Sequence, residues 1–175
     1  MYKGMIAGLG AALALSGCVT VDASGSGSGS GGAGKPIAIE SETIRYETAP
    51  CYGSCPVYAV TIAPDGRGTF EGKRFTAVTG IKEFRATPAA YHSFAAKLAP
   101  YRPRDAETLL QPGKPGCENA PTDMPSVDIV WSELSGGSQH LNVYYGCGPQ
   151  EMRQALRSAP ELLPIAAFIG PRGGR

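Results

Sequence analysis

Four cysteines lie beyond residue 34, and their pairing would restrict the fold of this chain more than any other feature of its sequence. They are Cys51, Cys55, Cys117 and Cys147. In an exported protein an even number of cysteines is typical of structural disulfides, whereas in a reducing compartment the same residues would indicate metal binding or catalysis. The compartment therefore has to be inferred first, and the N-terminal residues indicate it.

The first residues have the organisation of a bacterial export signal. Lys3 supplies a positive start, Met5–Leu15 is an uncharged apolar run, and Leu15–Cys18 has the sequence Leu-Ser-Gly-Cys. The apolar run is too short to cross a bilayer, which needs ~20 residues, so it predicts a cleaved signal peptide over residues 1–17. The four residues that end at Cys18 resemble the lipobox of bacterial lipoproteins, which implies that Cys18 is acylated and becomes the first residue after cleavage.

An ordinary secretory signal, cut after Ala12–Ala14, is the alternative to this interpretation. That triplet lies inside the apolar run, whereas the lipobox-like residues stand just beyond it. We therefore expect the lipid bilayer to be a partner of the protein through acylated Cys18. Val19, rather than aspartate, follows the cysteine, and by resemblance to enteric lipoproteins this predicts an outer-membrane lipoprotein with its domain in the periplasm.

A flexible tether is expected after the anchor. Ala23–Gly34 consists almost wholly of Ser and Gly, which have little or no side chain to bury, so residues 18–36 are predicted to behave as a random coil. Twelve such residues span roughly 20 Å on average. The predicted domain, residues 37–170, would then stand clear of the lipid headgroups, and residues 171–175 form a short tail.

The charge of the chain excludes some classes of partner. The sequence has 16 Lys and Arg against 15 Asp and Glu, and loss of Lys3 with the signal peptide makes the two equal. The basic residues are scattered, so no basic patch indicates nucleic acid. No internal repeat of the solenoid kind is visible either.

The sequence around the first two cysteines favours one connectivity. Pro50 and Pro56 stiffen the two flanks, and Gly53 between them is able to take a positive φ, so a disulfide between Cys51 and Cys55 would close a local turn. The pairing of Cys117 with Cys147 would follow. The crossed pairings remain alternatives at this point.

Other chemistry for these cysteines fits less well. A redox site would be expected to have the spacing C-x-x-C and a nearby cation, but here the spacing is C-x-x-x-C and Arg45 is six positions upstream. A zinc site built from four cysteines does not suit an oxidising compartment, and the haem motif C-x-x-C-H is absent. No metal or cofactor is therefore expected.

Periodicity predicts short strands followed by helices. Alternating residues indicate strands over Thr43–Thr48 and Tyr58–Ile62, and Pro64–Gly66 then turns the chain into a hairpin. Further strands are expected over residues 68–72, 75–78 and 81–86. Thr87 and Pro88 are expected to be the N-cap and first turn of a helix, whose apolar stripe is Tyr91, Phe94, Ala95 and Leu98. A long connection over residues 100–125 follows and carries Cys117.

A second hairpin is predicted on either side of Gly136. If the strands pair about this glycine, Trp131 lies opposite Leu141, and the apolar face would include Tyr145. The polar face would carry Asp128, Ser132, His140 and Asn142. Pro149 then opens a second helix, and residues 162–169 form a short helix or an irregular cover. The predicted fold class is α+β, an antiparallel sheet of hairpins with two or three helices on one face and two disulfides.

Several of these segments together resemble a bacterial family called domain of unknown function 6438. The resemblance covers roughly residues 42–158, and it implies this fold and an envelope setting without any catalytic role. Members often carry the first cysteine pair without the second, which supports the pairing of Cys51 with Cys55. The segments that carry the resemblance are Cys51–Tyr58, Val60–Ile62, Asp65–Gly66, Phe70–Gly72, Val78–Gly80, Thr122–Pro125 and Tyr145–Pro149.

His140 is the residue that most invites a catalytic interpretation. The predicted register sets it opposite Ser132 and beside Asn142, as in a nucleophile arrangement. The same register leaves Asp128 roughly 13 Å away along the strand, so no carboxylate would orient the imidazole. We expect Asp128, His140 and Asn142 to form a binding surface at most.

The remaining polar and aromatic residues have structural interpretations. His92 is expected to be exposed on its helix, and Asp65 and Asp123 are expected to form turns rather than bind a metal. Trp131 and Tyr145 are expected in the core.

The sequence therefore predicts a membrane-anchored lipoprotein of the bacterial envelope that is not an enzyme. Its domain would be a binding or interaction module for an envelope protein or a small ligand. The alternative is an envelope thiol-disulfide protein or hydrolase that uses Cys51 and Cys55 or a site at His140.

Overall fold

A seven-stranded sheet organises the chain in a computed structural model that describes residues 42–171. The strand order is β4-β3-β2-β1-β6-β7-β5, and every neighbouring pair is antiparallel except β5 with β7, so the sheet is mixed. The strands are β1 (Glu42–Thr48), β2 (Val57–Ile62), β3 (Arg67–Arg74), β4 (Gly80–Arg85), β5 (Glu107–Leu110), β6 (Ser126–Glu133) and β7 (Ser138–Tyr144).

Within residues 42–171, three α-helices accompany the sheet. They are α1 (Pro88–Leu98), α2 (Gln150–Ser158) and the short α3 (Ala166–Ile169), and 3₁₀ turns follow α1 at Ala99–Tyr101 and α2 at Ala159–Leu162. This arrangement confirms the predicted α+β class. No helix within residues 42–171 has the length and apolar composition needed to cross a membrane.

The helices and one sheet face share a single hydrophobic core. Thr87 caps α1 by accepting a hydrogen bond from Ala90 N, and the predicted stripe of α1 is buried, with Tyr91, Phe94 and Leu98 at 0% exposure. These side chains pack with alternate residues of the central strands, including the predicted core residues Trp131 and Tyr145. None of the described helices packs on the opposite face of the sheet, which carries the polar alternate residues.

The hairpin of β6 and β7 has a different register from the predicted one. Trp131 pairs with Gln139, and Leu141 pairs with Ile129, because the turn closes between Glu133 and Gly137 rather than about Gly136. The shift is two residues, so each side chain keeps its predicted face.

Two further expectations about strands were wrong. Residues 75–78 are not a strand, and Phe75 has a φ of 56°; backbone hydrogen bonds instead join Ala77 and Val78 to the carbonyls of residues 168 and 169. The long connection over residues 100–125 contains β5, which no local alternation signals.

The disulfides have the favoured connectivity. Cys51 is bonded to Cys55 and Cys117 to Cys147, with Cα–Cα distances of 5.8 and 5.1 Å. The first closes a turn in which Gly53 has a φ of 129°, as its position between two prolines predicted. The second is buried and joins the loop after β5 to the turn before α2.

The predicted signal peptide over residues 1–17, the acylated Cys18 and the tether to residue 36 lie outside the described residues. So do residues 37–41 of the predicted domain and residues 172–175 of the predicted tail. All the elements named above lie within residues 42–171.

Candidate functional site

His140 lies between two carboxylates on the polar face of the sheet. Its Nε2 is 2.8 Å from Asp128 Oδ1, and its Nδ1 is 2.8 Å from Glu107 Oε1. We call these three side chains the histidine cluster. The expectation that His140 has no carboxylate within reach was therefore wrong.

Register explains how the histidine cluster forms. His140 pairs with Val130, which brings Asp128 to the diagonal position two residues along β6. Glu107 is the direct partner of His140 across the parallel pair of β5 and β7. The predicted register placed Asp128 too far from His140. No local pattern signals β5, so Glu107 was not expected at this site.

The histidine cluster favours a charged imidazole over a general base. Burial lowers the pKa of His140, but the hydrogen bonds to Asp128 and Glu107 and their negative charges together raise it above its ordinary value. Both ring nitrogens already face carboxylates, so neither is open to take a proton from a nucleophile. Ser132, the predicted neighbour, pairs instead with Ser138 at the end of the hairpin.

The three residues of the predicted binding surface do lie together. Asn142 pairs with Asp128 across the strands, two residues along β7 from His140. Its side chain is nearly buried, and its Oδ1 accepts a hydrogen bond of 3.0 Å from Gln111 Nε2. The side chains of this surface therefore already hydrogen-bond to one another and to their neighbours, which leaves fewer of their polar groups for a ligand. Among residues 42–171, no group of three or more His, Cys, Asp and Glu side chains is arranged to hold a metal ion.

A cavity lies beside the first disulfide. We call it the tyrosine cavity, because Tyr46, Tyr58 and Tyr145 line it, together with Cys55. Its volume is about 270 Å³. The other lining residues are Thr48, Ala49, Pro56, Pro125, Ser126, Arg157 and Ile169.

Backbone contacts hold the rim of the tyrosine cavity. Ala49 N donates to Ser126 O at 2.9 Å, and Tyr52 N donates to Asp123 O at 3.3 Å, so the disulfide turn is tied to the loop before β6. Asp123 has a φ of 65°, consistent with its predicted role in a turn. Tyr52, at the tip of the disulfide turn, is 90% exposed.

The tyrosine hydroxyls are engaged within the protein. Tyr46 OH donates to Leu156 O at 3.1 Å and lies 3.4 Å from Tyr145 OH. Burial raises the pKa of both tyrosines, so the two phenols stay neutral. What these residues present to the cavity is aromatic and apolar surface.

A second cavity, of about 500 Å³, adjoins the first along α2. We call it the α2 groove. Tyr145 and Arg157 line both cavities, and the guanidinium carbon of Arg157 lies 4.3 Å from the centre of the Tyr145 ring. The α2 groove is also lined by Met124, Gln150, Arg153, Gln154, Ser158 and Glu161.

The two arginines of the α2 groove make different contacts. Arg153 donates to the carbonyl oxygen of Gly148 at 2.5 Å and lies 3.5 Å from that of Cys147, so it braces the turn before α2. Arg157 stacks on Tyr145, and within the described part of the chain it makes no hydrogen bond or ion pair. Sequence reasoning missed both residues, since a cation on a helix does not reveal which ring it will cover.

The fold and these cavities define a class of protein: a small α+β domain with two disulfides, a sheet with the described helices on one face, and a cavity at the junction of sheet and helix. Residues 42–163, more than half of the chain, match the family described as Domain of unknown function (DUF6438), and the protein belongs to this family. A comparison with curated proteins gave no match. Three segments that carry the resemblance, Cys51–Tyr58, Thr122–Pro125 and Tyr145–Pro149, each contribute to the two cavities or to the turn that Arg153 braces.

Proposed function

We propose that this protein is a lipoprotein of the bacterial envelope whose domain is a binding module without enzymatic activity. The observation that carries the proposal is the tyrosine cavity, which continues into the α2 groove at Tyr145 and Arg157. A largely apolar cavity with a few convergent polar groups is the usual form of a ligand site.

The anchor and the location are supported by the sequence. The apolar run and the Leu-Ser-Gly-Cys segment favour acylation of Cys18, and Val19 favours transfer to the outer membrane with the domain in the periplasm. Two disulfides in one small domain suit an oxidising compartment. Two or three acyl chains at ~0.8 kcal/mol per buried methylene make such an anchor effectively permanent.

Labelling with palmitate tests the anchor. The wild-type chain should incorporate radiolabelled palmitate and remain in the membrane fraction, and Cys18→Ala should lose both properties. Cys18→Ala alters no residue of the described domain, so its disulfides serve as the control for folding. Incorporation that persists in Cys18→Ala would show that the lipobox assignment is wrong.

The side chains around the cavities favour binding over catalysis. The Thr48 hydroxyl donates to Pro56 O at 2.9 Å, and the Ser158 hydroxyl donates to Gln154 O at 2.9 Å. Among the described residues that line the two cavities there is one carboxylate, Glu161, and no histidine. A nucleophile with an adjacent base is therefore not assembled at this site.

An activity screen separates the two interpretations. The purified chain of residues 19–175 should show no turnover of general esterase, peptidase, glycosidase and phosphatase substrates. A turnover that disappears in His140→Ala, with the variant shown by its melting curve to be folded under the assay conditions, would identify the histidine cluster as an active site and refute the binding module.

One observation favours a thiol-disulfide function as the second candidate. Cys51 and Cys55 are only partly buried, and Cys55 lines the same cavity as Arg157, whose charge would favour a thiolate after reduction. The reduction potential of this pair distinguishes the candidates. A structural disulfide should lie below about −300 mV, and a value near −120 to −180 mV would instead identify a dedicated oxidant.

A further inference from the structure

The tyrosine cavity offers an apolar environment to the body of a ligand. Tyr58 is stacked on Phe70 at 5.4 Å between ring centres, which fixes the orientation of its ring. Pro56, Pro125 and Ile169 complete an apolar wall. The hydroxyl of Tyr46 is already engaged with Leu156, so this end of the cavity makes few polar demands on a ligand.

The mouth of the cavity has an oriented cation. The guanidinium of Arg157 lies over one face of the Tyr145 ring, while Arg157 itself is exposed. In the described chain its N–H groups have no acceptor. A planar guanidinium with free donors matches the two oxygens of a carboxylate or phosphate, and stacking reduces the entropy lost on binding.

The charges of the adjoining α2 groove also favour a negatively charged ligand group. Its lining includes two cations, Arg153 and Arg157, and one carboxylate, Glu161. The stacked guanidinium lies where the two cavities meet, so a ligand whose apolar body fills the tyrosine cavity has its polar end beside Arg157. A positively charged end at this position would be repelled.

We propose that the site binds a small amphiphile, with its apolar body in the tyrosine cavity and a carboxylate or phosphate on Arg157. This inference rests on the proposed binding function and specifies the ligand class. It also assigns Arg157 as the residue that selects the charge of the ligand.

Three probes with the same eight-carbon chain test this assignment: octanoate, octyl phosphate and octylammonium. Each is titrated into the ¹⁵N-labelled chain of residues 19–175, which retains every described element, and the amide signals are followed by NMR. The two anions should shift the signals of Tyr46, Tyr58 and Tyr145 and bind ~10-fold more tightly than octylammonium.

Variants of charged residues complete the experiment. Arg157→Ala should weaken octanoate binding ~10-fold, and Arg157→Lys should recover part of the loss because it keeps the charge without the planar donors. Lys82→Met, an exposed residue of the edge strand β4, is the matched control and should bind like the wild type. The melting curve of each variant verifies that it is folded.

The possible failures are distinguishable. If octylammonium shifts the same signals with equal affinity, or if Arg157→Ala binds octanoate normally, the cavity is a binding site but the anion assignment is wrong. If none of the three probes shifts signals around the tyrosine cavity, both the anion assignment and the binding function proposed for this site are wrong.

Discussion

Glu42 is the most deeply buried carboxylate of the described chain, at 4% exposure. Burial raises its pKa, and the charge and hydrogen bond of Arg102 lower it in part. Arg102 Nη2 lies 2.5 Å from Glu42 Oε2, and the Tyr91 hydroxyl donates to the backbone oxygen of Glu42 at 2.6 Å. This ion pair joins the start of β1 to the connection after α1.

Removing Arg102 should destabilise the domain, because it would leave the Glu42 carboxylate buried without its cation. We expect Arg102→Met to lower the free energy of unfolding by about 2 kcal/mol, less than for a fully buried pair since Arg102 is partly exposed. Urea unfolding measures the loss. Arg104→Met, an exposed residue of the same connection, is the control and should change stability by less than about 0.5 kcal/mol.

A double-mutant cycle tests whether the loss of stability comes from the unpaired charge of Glu42. Glu42→Gln removes the charge that Arg102 compensates, so Arg102→Met should cost less in the Glu42→Gln background. Equal losses in both backgrounds would mean that Arg102 acts through its other contacts, with Gln139, Glu133 and the ring of Trp131, rather than through the charge of Glu42.

The stability contributed by His140 should depend on pH. Its pKa is raised in the folded state, so the contribution is complete below the ordinary histidine value of about 6.5 and is lost as the pH rises through the folded-state pKa. His140→Gln should therefore cost about 1 kcal/mol at pH 5.5, and less as the pH increases to 9. Unfolding curves at several pH values measure this difference.

His92 provides the control for this experiment. It is exposed on α1 and contacts the ring of Tyr91 rather than a carboxylate. His92→Gln, an exposed substitution, should change stability by less than about 0.5 kcal/mol. A cost of His140→Gln that grows as the pH rises would contradict the proposed charge pairing.

At the scale of elements, local patterns predicted the parts of the fold that form from neighbouring residues. The hairpin of β2 and β3 and the buried stripe of α1 follow from the Asp65–Gly66 turn and from helical spacing. Gly66 has a φ of 81°, and a side chain there would meet the backbone oxygen of Ala86 at 2.1 Å. A turn with this requirement leaves a clear signature in the sequence.

The parts that were not predicted depend on distant pairing. β5 has four residues, lies at an edge and pairs in parallel with a strand more than thirty residues later, so it needs no alternation of its own. Because β5 was not predicted, Glu107 was not expected beside His140. The register of β6 and β7 was missed because several glycine-containing turns fit between the strands equally well.

The two disulfides should stabilise their elements to different extents. In the chain-entropy model the pair separated by 30 residues contributes roughly 3 to 4 kcal/mol, and the pair separated by 4 contributes about 2 kcal/mol. Replacing Cys117 and Cys147 together by Ala should therefore cost more than replacing Cys51 and Cys55. Chemical unfolding of both double variants measures the difference, and the opposite order would show that the short turn has the larger structural role.

At the scale of the whole molecule, the proposed site depends on long-range assembly. Tyr46 and Tyr145 are 99 residues apart in sequence, yet their hydroxyls lie 3.4 Å apart beside the tyrosine cavity. The sequence predicted that Tyr145 is a core residue, but not that one edge of it lines a cavity. Nor did it indicate that Arg157 would cover its ring, because that contact requires α2 to be docked on the sheet.

We propose a domain that Cys18 holds near a membrane and that binds a small acidic amphiphile beside its first disulfide. The central claim concerns what the protein binds in its own compartment. Residues 19–175, exported with an ordinary secretory signal, can be recovered without detergent, as can Arg157→Ala and the control Lys82→Met.

Mass spectrometry of the small molecules released from these three proteins by denaturation tests that claim most directly. We predict that a molecule with an apolar body and a carboxylate or phosphate leaves the envelope with the wild type and with Lys82→Met, and is depleted from Arg157→Ala. Recovery of the same small molecules in equal amounts from all three proteins would contradict the account.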